Sequence, residues 1–177
     1  MKKTLLLIAF VTFSVTQSFA QDSKGYIGVS IGLAAPMGDT ADGLDSGLEL
    51  GLINFGYRFN ETLGATLNWG ASGHQVSDDD ETTVGVGYLA IGPMISFGAL
   101  DIKPQYAFAS VVAKAYGEED TEDAESGFIL GATYNFSLGG NWGIAANADY
   151  LNFTLDQDIA DGSDSIFKLS VGLKYNF

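Results

Sequence analysis

The sequence contains no cysteine, which excludes disulfides, thiolate metal centres and lipid attachment at a mature N-terminal cysteine. Proline occurs only three times and histidine once, at His74, so metal or general-base chemistry built on imidazole has a single candidate. Lys and Arg number eight against 22 Asp and Glu. A chain so poor in basic residues lacks the clustered cations with which nucleic acid is bound, and that partner class is excluded. Past the first 20 residues no apolar run approaches the roughly 20 residues that a membrane-spanning helix requires. That last absence does not exclude membrane strands, whose apolar residues are hidden at alternate positions.

What is present begins with Met1-Lys2-Lys3, an apolar run from Leu5 to Val15, and Ser18-Phe19-Ala20 ahead of Gln21. This pattern reads as a secretory signal peptide over 1–20, cut before a mature domain of 21–177. Without Lys2 and Lys3, six basic residues remain against 22 acidic ones, a net charge of about −16.

The last twelve residues alternate without a break. Phe167, Leu169, Val171, Leu173, Tyr175 and Phe177 fall on one side, and Lys168, Ser170, Gly172, Lys174 and Asn176 on the other. Seven earlier stretches repeat the period: Lys24 to Ala34, Gly47 to Phe59, Leu63 to Ser72, Thr83 to Phe97, Ile102 to Ala109, Phe128 to Leu138, and Trp142 to Tyr150. In the second, the apolar phase changes between Leu52 and Ile53, which predicts a bulge. In the fourth, apolar residues occupy both faces and leave the register open. Pro93 and Pro104, each lacking a ladder donor, fit the end of a sheet better than its centre.

Four long connections, 36–46, 75–82, 116–126 and 156–165, alternate with three short ones near Asn60, Gly98 and Gly139-Gly140. The long ones hold 17 of the 22 acidic residues, so the charge collects at one rim. The expected fold is all-β: an eight-stranded antiparallel up-and-down transmembrane β-barrel, with bulky side chains toward hydrocarbon and Gly, Ser, Thr, Ala and Asn filling the narrow lumen. Tyr57, Phe59, Trp142, Tyr175 and Phe177 near strand ends suit an aromatic girdle.

The signal peptide, the eight strands, Gly56-Tyr57-Arg58-Phe59-Asn60 and the terminal Leu173-Lys174-Tyr175-Asn176-Phe177 together resemble the small bacterial outer-membrane barrels of the OmpX, OmpW and OmpA membrane-domain type. That resemblance implies location in the outer membrane, short turns in the periplasm, and a final strand read by the barrel-insertion machinery. It also implies a monomer with a noncatalytic surface role, either structural or one of interaction such as adhesion, with the acidic loops as the contact surface. No cofactor is called for.

Glu49, Arg58, Lys103, Asp149, Lys168 and Lys174 lie on the small-residue face. They form either an interior network, with Asp149 close to Lys168 or Lys174 on the next strand, or, for Arg58, Lys103 and Lys174, contacts with periplasmic water. Ser72, His74, Ser77 and Asp78 contain the residue types of a nucleophile and base, as in an outer-membrane lipid A palmitoyltransferase, but sequence proximity is poor evidence for such a site and the expected reading is a solvated rim histidine. Asp42, Asp45, Asp161 and Asp164, in the related stretches 41–46 and 160–165, could supply oxygens to Ca²⁺, or to a looser layer of divalent cations bridging the loops to lipopolysaccharide phosphates. A narrow pore for small solutes is the alternative function.

Overall fold

The computed structural model describes residues 24–38, 43–77, 79–115, 118–155 and 163–177. The expected signal peptide, together with Asp42, Asp78 and Asp161, lies outside these. The strands are β1 (Gly25–Met37), β2 (Gly47–Arg58), β3 (Leu63–Val76), β4 (Asp79–Phe97), β5 (Leu100–Ala115), β6 (Glu118–Gly139), β7 (Trp142–Leu155) and β8 (Ser163–Asn176). They pair antiparallel in chain order, and β1 pairs with β8 to close the barrel. That closing seam runs unbroken from Tyr26↔Asn176 to Met37↔Ser165. Closure leaves the wall no free edge, the condition for placing backbone polar groups in hydrocarbon.

Alternation sorts the side chains as the period requires. Ile27, Val29, Ile31 and Leu33 of β1, and Leu169, Val171 and Leu173 of β8, are about half exposed on the outer surface, a band that only lipid would cover without cost. Aromatic pairs mark its short-turn border: Tyr57 with Phe59, and Trp142 edge-on to Tyr175 at 5.2 Å. The phase change in β2 is a bulge, with register shifts on both sides of Leu52. Gly98, Gly139 and Gly140 turn the chain at positive φ, a conformation that L side chains resist.

Three features differ from the sequence reading. The two prolines do not sit at the end of a sheet. Ser96 donates its backbone N–H to Thr62 beside β3, so the odd residues of β4 direct theirs toward β5. Pro93 and Pro104 therefore oppose each other at a position meant to exchange two hydrogen bonds, and the β4–β5 ladder skips from Ile91↔Tyr106 to Ile95↔Ile102. The ladders to β3 and β6 continue past both prolines, because those neighbours face the other side of each strand.

Second, much of the expected loops 75–82 and 116–126 is strand. β4 begins at Asp79, and β5 and β6 stay paired to Ala115↔Glu118, whereas β6 and β7 part after Ala124↔Leu155. The β5–β6 pair thus rises past β7, while β3 and β4 stay paired to Val76↔Asp79. Third, the lumen is not uniformly small and polar. Its long-loop half holds a packed apolar cluster that includes Val86, Ile129, Leu151, Phe153 and Ile166.

Candidate functional site

The lumen concentrates the unusual chemistry. Toward the short turns, Asp101 is completely buried and receives hydrogen bonds from Arg58, Ser96 and Asn135. The Arg58 guanidinium reaches both carboxylate oxygens at 3.0 and 3.1 Å, and its Nε donates to Ser96 Oγ. Both bonds come from one nitrogen, Nη2, so the guanidinium divides its donors between Asp101 and Ser96. Lys174 donates to Asn135 Oδ1 at 2.7 Å and lies 5.0 Å from the centre of the Tyr26 ring. Arg58, Lys103 and Lys174 are thus enclosed by the barrel rather than reaching out to water. Tyr26 fits because Gly56 is its cross-strand partner; a Cβ there would collide with the ring.

At mid-height Lys168 is 99% buried and pairs with Glu49 at 3.4 Å, with its ammonium 3.5 Å from the centre of the Tyr88 ring. The Tyr88 hydroxyl donates to Glu49 Oε1 at 2.6 Å. Asp149 and Lys168 are opposite each other in the β7–β8 register, yet the carboxylate within 4 Å of Lys168 is that of Glu49. Asp149 is half-buried, and its Oδ1, like Glu49 Oε2, accepts no hydrogen bond. Tyr88 also belongs to the apolar cluster, so one side chain joins the two halves of the lumen.

Near the rim, His74 is only 2% exposed, which corrects the expectation of a solvated histidine. Its Nδ1 donates to the Asp45 carbonyl at 3.0 Å, and its Nε2 accepts from Ser72 Oγ at 3.0 Å. Nδ1 can only be the donor opposite a carbonyl, and this leaves Nε2 as the acceptor of the neutral ring. With Asp45 N–H bonded to Gln75 O, and Ser77 N–H to Gly43 O, the histidine pins the chain entering β2 onto β3. Of the Ca²⁺ candidates, Asp45 accepts from Ser77 Oγ at 3.0 Å, and Asp164 opposes Phe153 in β8. Among the described residues no group of His, Asp and Glu is arranged to hold a metal.

Sequence reasoning missed Asp101, Ser96, Asn135 and Tyr88 as lumen partners. Asp101 shares the face of Lys103 by parity, a signal masked by its place beside a turn.

The sequence pattern of the outer membrane protein beta-barrel domain matches residues 5–177, and the chain belongs to that family. It is a protein of the outer membrane. Among solved structures, the barrel is similar to neisserial surface protein A, with a TM-score of 0.60 and 14% identity over 86% of this chain and 97% of that one. It is also similar to Ail, the attachment invasion locus protein of Yersinia pestis, with a TM-score of 0.52 and 15% identity over 88% of this chain and 100% of that one. At such identities the likeness is one of fold. Comparison with curated protein sequences gives no match.

Proposed function

We infer that this barrel is noncatalytic and nonconducting, and that it acts as a surface protein through its acidic outer face. The observation that carries this reading is the filled lumen: a packed apolar cluster lies above the Glu49–Lys168 pair, and Arg58 with Asp101 lies below it. Ions do not pass an apolar constriction that excludes water. The work is then left to the outer end, where β5 and β6 rise above β7 and β6 carries the acidic sequence Glu118-Glu119-Asp120-Thr121-Glu122-Asp123.

The occupants such a face suits are divalent cations shared with lipopolysaccharide phosphates and, beyond them, basic or cation-bridged surfaces of another cell. An adhesion-type role agrees with the name of Ail, the attachment invasion locus protein. The barrel acts as a monomer, and β8 is the segment presented to the insertion machinery.

A narrow pore remains the second reading, because the short-turn half of the lumen is polar. Planar-bilayer recording separates the two: the filled lumen gives no discrete channels, and reproducible single-channel steps would overturn the nonconducting reading. Replacing the acidic residues of 118–123 by Asn and Gln should lower Mg²⁺-dependent retention of lipopolysaccharide and binding of barrel-displaying cells to a target surface. Unchanged retention and unchanged cell binding would remove the surface reading. Lipid hydrolysis and acyl-transfer assays, with His74→Ala as control, should show no activity that depends on the histidine.

A further inference from the structure

We propose that the lumen holds a single monatomic anion of the halide class between Lys103 and Lys174. The inference is independent of the surface role and rests on how charge is distributed inside the wall. Among the described residues, four cations point into the barrel, Arg58, Lys103, Lys168 and Lys174, against three carboxylates, Glu49, Asp101 and Asp149. Asp101 is engaged by Arg58 and Glu49 by Lys168. One carboxylate is left for two lysines, and it lies within 4 Å of neither ammonium.

Asp149 packs against Gly131, where the Lys103 stem also approaches. Lys174 donates to a neutral amide, Asn135. Lys103 is 98% buried. Two buried lysines that share one carboxylate, with no ion pair inside 4 Å, leave positive charge that is costly to hold in a protein interior.

Both lysines border one small cavity. Lys103, Lys174, Tyr26, Asn54, Thr133 and Asn147 enclose about 10 Å³, room for one atom-sized occupant. Water of that size would satisfy donors while leaving the excess positive charge in a low-dielectric wall. A cation would add to it. A monatomic anion answers both needs, and the lining side chains are cationic or neutral, with no carboxylate among them.

The test uses the mature barrel in nonionic detergent, melted at constant ionic strength while sodium gluconate is replaced by sodium bromide or chloride. A site occupied only in the folded state raises the melting midpoint with a saturating halide dependence, by about 3 °C or more once halide is well above its dissociation constant. Lys103→Met should abolish the halide-dependent part of the shift, and Lys103→Arg, which keeps the charge, should retain some of it. Crystals grown in bromide should show an anomalous peak between the two ammonium groups. Equal midpoints in gluconate and bromide, or a halide shift that survives both Lys103→Met and Lys174→Met, would overturn the proposal. Should the variants fail to fold, the bromide peak in the unaltered protein decides alone, and its absence counts against the site.

Discussion

The two halves of the lumen are built by opposite rules inside one wall. Toward the short turns the interior is a network in which a completely buried carboxylate, Asp101, receives an arginine, a serine and an asparagine. Toward the long loops it is an apolar core of Ile129, Leu151, Phe153 and Ile166 that would suit a soluble sandwich. The outer surface hardly registers the change, since Leu33 and Phe128 beside the apolar half and Ile27 and Leu173 beside the polar half are alike exposed apolar residues. The outer face answers to lipid, and the inner face answers only to its own packing.

The contrast can be broken most severely in the polar half. Asp101→Leu strands the Arg58 guanidinium, and loss of one partner from a buried pair costs about 3–5 kcal/mol. The midpoint of urea unfolding in lipid vesicles should fall accordingly, and a change below about 1 kcal/mol would mean that Arg58 finds water instead. In the apolar half, Leu151→Ala should cost about 3 kcal/mol by leaving a cavity, without producing channels in a planar bilayer. A channel in this single variant would show that the apolar cluster is the seal.

Asp149→Asn sharpens the comparison from the other side. Asp149 is half-buried with an oxygen that accepts no hydrogen bond, so the variant should shift unfolding by no more than about 1 kcal/mol. A loss like that of Asp101→Leu would place Asp149 among the essential charges. Smallest is the effect of Pro93→Ala combined with Pro104→Ala. The two regained donors are worth about 1 kcal/mol each and are largely offset by the added freedom of the unfolded chain. Amide exchange is the sensitive measurement here: the new N–H groups of residues 93 and 104 should be protected, and rapid exchange would mean that the strands stand too far apart to bond.

Much of the fold was legible because alternation is a local property. The twelve-residue pattern of the last strand, the bulge at Leu52 and the glycine turns are each written within a few residues of themselves. The ambiguous register of β4 has a physical cause: Val86, Tyr88 and Ala90 face the apolar cluster while Leu89 and Ile91 face outward, so both sides of that strand are apolar. The prolines misled because a residue without a donor favours sheet margins in general, whereas here both were spent on one position of one seam. The length of β5 and β6 was hidden for a similar reason, since runs of Glu and Asp disfavour strands by propensity and pairing overrode it. His74 shares the parity of Ser72 on the lumen face, a sign masked by its place beside an acidic stretch, and its other partner is a backbone carbonyl 29 residues away.

By itself, then, the sequence settled the strand count and, outside β4, the face each residue takes, because a period of two and a turn are decided by neighbours along the chain. Which charges meet was decided only by closure. Arg58 and Asp101 are 43 residues apart and Glu49 and Lys168 lie on β2 and β8, and nothing near any of them in the chain states the curvature and strand offset that carry them across the lumen to each other.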